Sequence, residues 1–240
     1  MLVDLVVFDI AGTTAYDGDA VHRCLAGAVA RAGVAPSRDA VNRVMGMAKP
    51  HAIAALLEAE GRTAPDHAEV VQLYAEFERM MIEHYRSGPG VREADGATDV
   101  MRQLRASGVK VALNTGFARA ITDVVIERLG WSDDVVDVTV SSDEVPRGRP
   151  HPDMIHRAMH LSGVVDATRV AKVGDTPADL QEGTAAGCRF VIGVTSGSHT
   201  RSELEPHPHT HLITLLRELL PIVSSPSLAR VAGALGRRGD

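Results

Sequence analysis

The sequence has only two cysteines, fewer basic than acidic residues and no long apolar run. Cys24 and Cys188 lie far apart and form no CxxC pair, which favours reduced, packed thiols over a redox or metal motif. The formal net charge of −6 offers no basic surface for nucleic acid or an anionic membrane. No run reaches the roughly 18 apolar residues of a membrane span, and the apolar start, interrupted by Asp4, is too short for a signal peptide. We therefore expect a cytoplasmic protein that binds neither nucleic acid nor membranes.

The chain does have length and a regular alternation of patterns. With 240 residues, 45% of them apolar, it can form one large domain or a domain carrying a smaller inserted one. Short Val, Leu and Ile runs predict strands at 2–8, 110–114, 135–140, 169–173 and 190–194, and amphipathic patterns predict helices at 97–107, 118–129, 152–161 and 179–186. Strands without polar alternation are typical of a sheet covered on both faces. The sequence thus predicts an α/β fold with a doubly wound parallel sheet.

Residues from about 15 to 94 break this alternation, because they contain three or four helical patterns and no convincing strand. We interpret them as an all-helical domain inserted between the first two strands. The borders, YDGD and SGPGVREADG, are rich in the Gly, Pro and Asp of loops and hinges. The predicted division is a core of 1–15 plus 94–223, a cap of 16–93 and a tail of 224–240 with no assigned function. Such a cap could close over the carboxyl ends of the strands.

Four short motifs follow four of the predicted strands, where ligands bind in open α/β sheets. They are DIAGT from Asp9, NTG from Asn114, DEVPRGRP from Asp143 and GDTPAD from Gly174. Singly, each is also explained by an ordinary cap or turn. Together they supply carboxylates, a hydroxyl, backbone N–H groups at a helix start and a guanidinium, which are the groups that hold Mg²⁺ and a phosphoryl group.

In this order, and with a helical insert after the first, the motifs resemble those of the haloacid dehalogenase superfamily over essentially residues 1–220. The resemblance implies a Rossmann-like core and an Asp9 that attacks phosphorus and forms an aspartyl-phosphate. Asp9 must stay ionised for this attack and needs no raised pKa. The resemblance further implies three groups of residues: Mg²⁺ ligands (Asp9, Asp175 and the Ala11 carbonyl), phosphate-binding residues (Gly12, Thr13, Thr115 and Gly116) and residues that balance charge or support the metal (Arg149 and Asp179).

Ala11 departs from the pattern DxDx[TV] of most phosphatases in this superfamily. The second Asp of that pattern protonates the leaving alcohol oxygen, and such general acid catalysis contributes about 10²- to 10⁴-fold in rate. DIAGT together with Arg149 instead resembles the phosphonatase-like family related to phosphonoacetaldehyde hydrolase, whose members cleave a carbon–phosphorus bond. In that family a cap lysine forms a Schiff base with the substrate.

The insert contains a matching lysine, since Met45, Gly46 and Lys49 follow the family pattern MGxxK, and the resemblance implies that Met45 and Gly46 contact the substrate. An iminium at Lys49 would accept electrons, so that phosphoryl transfer to Asp9 expels an enamine and no alcohol oxygen needs a proton. A neutral amine is required, and we expect burial to lower the lysine pKa by about 3 units. Two alternatives stay open, a plain charge contact with substrate and a solvated surface lysine.

The match is incomplete at the next position of the family pattern. The family carries a His three residues after the lysine, where this chain has Ala52, and His51 comes one residue earlier. One residue on a helix is a rotation of about 100°, so His51 is either a proton shuttle by another route or exposed. This difference favours a phosphonatase-like enzyme acting on a related 2-oxoalkylphosphonate.

Three functions compete at this stage. The first is Mg²⁺-dependent hydrolysis of a small oxo-phosphonate, and the second is a phosphomonoester phosphatase or phosphotransferase in which water or His51 supplies the acid. The third is a pseudoenzyme that binds a phosphate ligand. The partner is expected to be a small phosphorylated or phosphonate substrate, and the protein a monomer or a homodimer supported by the helix at 21–32. The histidine-rich segment 207–211 is expected to be a solvated loop before an apolar helix.

Overall fold

The computed structural model describes residues 1–62 and 65–224. The strands are β1 (Leu5–Phe8), β2 (Ala15–Tyr16), β3 (Arg92–Glu93), β4 (Lys110–Thr115), β5 (Val138–Ser141), β6 (Val170–Gly174), β7 (Phe190–Val194) and β8 (His211–Ile213). Six of them form one parallel sheet in the order β5-β4-β1-β6-β7-β8, and β2 pairs antiparallel with β3. The central position of β1 places the residue that follows it between the ends of β4 and β6.

Ten α-helices lie in the described ranges. They are α1 (Ala20–Ala30), α2 (Arg38–Arg43), α3 (Lys49–Ala59), α4 (His67–Ser87), α5 (Ala97–Ala106), α6 (Arg119–Leu129), α7 (Asp153–Ser162), α8 (Pro177–Ala185), α9 (Arg201–Leu204) and α10 (Leu219–Val223). None of these described helices is long and apolar enough to cross a membrane.

Helices cover both faces of the sheet. In β1, Leu5 and Val7 join the apolar cluster that contains α7, while Val6 and Phe8 join the larger cluster that contains α5. The side chains on both faces of β1 are therefore buried, which explains the uninterrupted apolar run in this strand. The predicted doubly wound α/β fold is confirmed.

Helices α1 to α4 pack on one another beside the sheet. The longest, α4, buries Val70, Leu73, Phe77, Met81 and Tyr85, a spacing of three and four residues that places them on one face. The α4 helix also packs against α6 of the sheet domain. The chain enters and leaves this helical layer through β2 and β3, and we propose the division at 16–93 as the cap.

Two expectations are corrected by these elements. The insert borders form a short strand pair, β2 and β3, which the sequence did not predict because two residues carry no periodicity. His211 begins β8 and is not part of a solvated loop; the Thr210 N–H donates to the Val191 carbonyl at 2.7 Å and starts the pairing with β7. A three-residue edge strand is too short to show a pattern. Of the predicted tail, residues 225–240 lie outside the described residues.

Both cysteines are free thiols, as expected. Cys24 is buried, and burial raises the pKa of its thiol to about 11. A thiol with so high a pKa carries little thiolate at neutral pH and is therefore a packing residue.

Candidate active site

The carboxyl ends of β1, β4 and β6 meet at one edge of the sheet. Asp9 follows β1, and its N–H donates to the Val173 carbonyl at 2.9 Å, which continues the pairing with β6. Thr115 ends β4, and Asp175 follows β6. Parallel topology thus brings together residues that are more than 160 positions apart in the chain, as the strand-end rule predicts.

Three buried aspartates form a cluster at this edge. Asp9, Asp175 and Asp179 each offer one carboxylate oxygen, and the three oxygens lie within 4.8 Å of one another. Asp179 Oδ2 accepts from the Thr176 N–H at 3.2 Å and from its hydroxyl at 2.6 Å, whereas Asp179 Oδ1 lies 2.9 Å from Lys172 Nζ and 3.1 Å from Arg149 Nη1. Clustered carboxylate oxygens fit a small, hard divalent cation. This cluster could therefore hold a metal ion.

Hydrogen bonds and close glycine contacts hold the Asp175 carboxylate in place. Its Oδ1 accepts from the Thr13 hydroxyl at 2.9 Å, and its Oδ2 accepts from the Ser198 N–H and hydroxyl, both at 2.7 Å. A Cβ at Gly12 (φ +89°) or at Gly197 would lie 2.3 or 2.4 Å from Asp175 Oδ2, so only glycine fits at either position. Gly12 and Thr13, predicted to bind phosphate, both contact this carboxylate. Ser198 follows β7, and the strand-end rule would have found it.

Arg149 joins the cluster from the loop after β5. Its Nη2 lies 2.7 Å from Asp9 Oδ1 and its Nη1 lies 3.1 Å from Asp179 Oδ1. Its Nε donates to Glu182 at 3.1 Å. The side chain is fully buried, yet these carboxylates raise the pKa of the guanidinium above its usual range, so it stays charged. The predicted charge-balancing position next to Asp9 is present.

Glu182 and Lys172 are fully buried in the same region, and the sequence analysis missed both. Lys172 lies in the middle of β6, and its Nζ is 2.9 Å from Asp179 Oδ1. The sequence did contain a sign of its role, a single cation inside an apolar strand. A buried charge of this kind needs a partner of opposite charge. Glu182 lies three residues after Asp179, on the same face of α8.

Burial and charge shift the pKa values of the three aspartates in different directions. Burial raises the pKa of Asp9 to about 7, although Arg149 opposes this, and burial raises that of Asp175 to about 6. At Asp179, burial is outweighed by Arg149 and Lys172, which lower the pKa. The sequence did not predict this raised pKa of Asp9, because it follows from burial of the carboxyl group in the folded chain. A cation bound beside these groups would favour the ionised form.

Lys49 faces this cluster from the first turn of α3. Its side chain is buried, with the residue 3% exposed, so the alternative of a solvated surface lysine is wrong. Its Nζ donates to the Met47 carbonyl at 3.2 Å and lies 5.4 Å from the centroid of the Phe117 ring. Burial lowers the pKa of Lys49 to about 8, although Asp9 acts in the opposite direction. The predicted lowering is thus present.

Lys49 and Asp9 border one small cavity of about 20 Å³. The cavity is lined by Asp9, Ala11, Val21, Met45, Gly46, Lys49, Thr115, Gly116, Phe117, Arg149 and Thr176. Most predicted site residues from the sheet and the cap are therefore brought together. Five predicted residues do not line it: Gly12 and Thr13, which contact Asp175, together with Asp175, Asp179 and His51.

The cap loop approaches the sheet domain backbone to backbone. A Cβ at Gly46 (φ +81°) would lie 2.3 Å from the Thr176 hydroxyl oxygen, and a Cβ at Gly116 would lie 2.5 Å from the Met47 carbonyl oxygen. Both glycines were predicted to bind phosphate or substrate. Their lack of a side chain also lets this loop lie directly over the cluster.

His51 is not part of this site. Its side chain is exposed, whereas the neighbouring Ala52 is fully buried. Because α3 begins at Lys49 and turns by about 100° per residue, His51 faces away from the cavity. No histidine lines the cavity in the part of the chain that the structure describes.

The fold and the site are those expected of a hydrolase in which a buried aspartate lies beside carboxylates that could hold a metal. A family profile described as haloacid dehalogenase-like hydrolase matches residues 3–187. The phosphonoacetaldehyde hydrolase of Bacillus cereus is 30% identical over 236 residues, which cover 93% of this chain and 87% of that protein. The chain therefore belongs to the haloacid dehalogenase-like hydrolases, within their phosphonatase-like family. It is an enzyme, so the pseudoenzyme interpretation is set aside.

Solved structures show the same fold. A phosphonoacetaldehyde hydrolase like protein from Oleispira antarctica superposes with a TM-score of 0.78 at 21% identity, covering 93% of this chain and 92% of that one. A hydrolase from Pseudomonas syringae gives a TM-score of 0.80 at 18% identity, covering 92% and 100%. At these identities the likeness concerns the fold alone.

Proposed function

We propose that this enzyme hydrolyses the carbon–phosphorus bond of a small 2-oxoalkylphosphonate, with Asp9 as the nucleophile, Lys49 as the imine-forming amine and Mg²⁺ as the cofactor. The observation that carries the proposal is that Lys49, buried and with a lowered pKa, borders the same cavity as Asp9 and Ala11. A phosphomonoesterase would need an acid for the leaving oxygen, and Ala11 offers none.

The Mg²⁺ ligands would be Asp9, Asp175 and the Ala11 carbonyl, supported by Asp179. When bound, the ion would offset the like charges of the carboxylate and the phosphoryl oxygens. Arg149 adds a fixed positive charge beside the attacking oxygen of Asp9.

The remaining lining residues suit a short oxo-phosphonate. Thr115 and the Gly116 N–H would bind phosphoryl oxygens, and Val21, Met45 and Phe117 present apolar surface to the carbon chain. Beyond Arg149 and Lys49 the described lining has no cation to bind a second anionic group. The substrate class is therefore a phosphonate whose only other polar group is its carbonyl.

The first covalent step takes place at Lys49. Its neutral amine adds to the carbonyl carbon of the substrate, and the resulting carbinolamine takes up one proton from the solvent and loses water, which leaves a protonated imine. Asp9 then attacks phosphorus, and the carbon–phosphorus bond breaks as the phosphorus–oxygen bond forms. The electron pair of the broken bond enters a carbon–carbon double bond and neutralises the iminium, which gives an enamine on Lys49.

Two hydrolyses restore the enzyme. The enamine takes a proton at carbon, and water then releases the aldehyde or ketone and the free lysine. A second water attacks the phosphorus of the aspartyl-phosphate, releasing phosphate and the Asp9 carboxylate. The overall change is phosphonate plus water to carbonyl compound plus phosphate, without any oxidant or reductant.

The test is imine trapping with borohydride, and the sequence makes it unusually clean. The chain has only three lysines, Lys49, Lys110 and Lys172. The enzyme is incubated with phosphonoacetaldehyde and a small set of oxo-phosphonates, reduced with borohydride and examined by intact mass. We expect an adduct on the native chain and on Lys110→Ala, whose exposed amine pairs with Asp137, and none on Lys49→Ala.

The opposite outcome would favour the second candidate function. No adduct, together with Mg²⁺-dependent phosphate release from ordinary phosphate esters, would identify a phosphomonoesterase that draws its acid from water. Lys49 would then be a charge contact with the substrate.

A further inference from the structure

Four buried polar residues form a hydrogen-bonded group behind the cavity, which we call the Glu182 network: Asn114, Arg149, Lys172 and Glu182. Each is 3% exposed or less. Only Arg149 lines the cavity among the four. Burying this many charged groups is costly unless each one is paired, so their retention calls for a physical reason.

Asn114 connects the other three. Its Nδ2 donates to both carboxylate oxygens of Glu182, at 2.9 and 3.0 Å. Its Oδ1 accepts from Lys172 Nζ at 2.6 Å and from Arg149 Nη2 at 2.9 Å. The amide therefore has only one orientation that satisfies the group, with nitrogen toward the carboxylate and oxygen toward the cations.

The network holds the guanidinium of Arg149 along one edge. Its Nε donates to Glu182 Oε2 at 3.1 Å, and its Nη2 donates to the main-chain carbonyl of Asn114 at 2.7 Å. Because the guanidinium is planar and rigid, fixing Nε and Nη2 fixes the whole group. The same Nη2 then lies 2.7 Å from Asp9 Oδ1.

Lys172 completes the charge balance. Arg149 alone faces three carboxylates, those of Asp9, Asp179 and Glu182. Lys172 Nζ lies 2.9 Å from Asp179 and 3.2 Å from Glu182, which supplies a second cation to this group. Without it, Arg149 would be drawn toward whichever carboxylate was least neutralised.

We infer that Glu182 is a positioning residue, which acts through Arg149 by holding the guanidinium against Asp9, with Asn114 as the bridge and Lys172 as the balancing cation. The inference rests on one part of the proposed function, attack of Asp9 on phosphorus, and not on the identity of the substrate. Glu182 itself touches neither the cavity nor the cluster oxygens that could bind metal.

The test is Glu182→Gln, which keeps the shape and removes the charge, with Gln181→Ala as the matched control. Gln181 is the exposed neighbour on the same helix. Binding of orthovanadate, which mimics the phosphoryl group in transfer, is measured calorimetrically with Mg²⁺ on the full chain. We expect E182Q to weaken binding about 10- to 100-fold, as loss of an orienting partner typically does, and Q181A to stay within about twofold.

A second readout separates positioning from mere support of the fold. In an Arg149→Lys background the rigid fork is gone, so E182Q should weaken orthovanadate binding less than about twofold further. With a substrate in hand, E182Q should lower kcat by the same factor as the affinity for orthovanadate and change KM less than about threefold. Independent, multiplicative effects of the two substitutions would overturn the inference.

If E182Q fails to fold, Glu182→Asp replaces it, because this variant keeps the charge and moves the carboxylate back by one methylene. Native orthovanadate affinity in folded E182D would overturn the inference. Native affinity in folded E182Q would do the same and leave the proposed function intact. If the native chain bound no orthovanadate with Mg²⁺, attack by Asp9 and the inference would both be wrong.

Discussion

Each side of the cavity buries one cation, and the surroundings shift the pKa values of these two cations in opposite directions. On the sheet side, Arg149 lies within 3.1 Å of three carboxylates, and its pKa is raised. On the cap side, Lys49 has one hydrogen bond among the described residues, to a carbonyl, and lies over an aromatic ring. Its pKa is lowered to about 8. Pairing with carboxylates keeps the Arg149 guanidinium charged. Burial without a paired carboxylate instead favours the neutral, reactive amine of Lys49.

The largest effect is expected on the sheet side. Asp9→Asn keeps the shape but removes the nucleophile, so phosphate release should fall by about 10⁴-fold or more, as is common when a nucleophile is removed. The matched control is Asp4→Asn, at the other end of β1, whose carboxylate pairs with Arg169 at the surface. Activity is measured as phosphate released with Mg²⁺. An active D9N enzyme would show that the phosphoryl group is not carried on Asp9.

The next largest effect concerns the cap side. Lys49→Met removes the amine and should abolish imine trapping and lower carbon–phosphorus cleavage by about 10³-fold, since covalent assistance is lost. D9N should still trap the imine, because the amine is intact. A K49M enzyme that retained cleavage would place Lys49 outside the chemistry.

The same substitution should stabilise the fold. Burial lowers the pKa of Lys49 from 10.5 to about 8, so below pH 8 the native state carries a protonation penalty of about 3 kcal/mol that K49M lacks. Between pH 8 and 10.5 only the unfolded chain binds the proton, and the advantage of K49M fades. Urea unfolding at pH 7 and pH 10 measures this. Lys110→Met is the exposed control, with an expected change within about 0.5 kcal/mol.

Moving the cap loop away from the sheet domain should have a smaller effect on cleavage activity. Gly116→Ala would place a methyl group 2.5 Å from the Met47 carbonyl oxygen and so keep the cap loop off the sheet domain. We expect a loss of about 10²-fold in cleavage, the usual cost of misplacing a reacting group by about 1 Å. Small-angle scattering should show a less compact molecule. Gly27→Ala is the control, since its methyl group would meet mainly the flexible end of Met80.

The smallest effect is a pH dependence. Since only the neutral amine reacts, the rate of imine trapping should rise about tenfold per pH unit below 8 and level off above it. With a lysine of unperturbed pKa, the rate of imine trapping would instead keep rising to about pH 10. Trapping at a series of pH values distinguishes the two curves, and a midpoint near 10 would contradict the lowered pKa.

The sequence predicted those parts of the site that follow from parallel topology. Asp9, Thr115 and Asp175 each follow a buried strand, and chain direction alone places them at one edge. Lys172 and Glu182 were missed because a single charge in an apolar pattern does not reveal its partner, which lies in another element. His51 was left open because its direction depends on where α3 begins, and a shift of one residue rotates every side chain by about 100°.

The cavity of about 20 Å³ that Asp9 and Lys49 border has room for roughly one water molecule. For a substrate with several non-hydrogen atoms to enter, we expect the loop that carries Met45 to lift from Thr176, and to lift again when phosphate leaves. Each turnover would then contain two rearrangements of the helical layer. Solvent friction on the cap should then set part of the catalytic rate, and a more viscous medium should slow the enzyme even where the chemistry is unchanged.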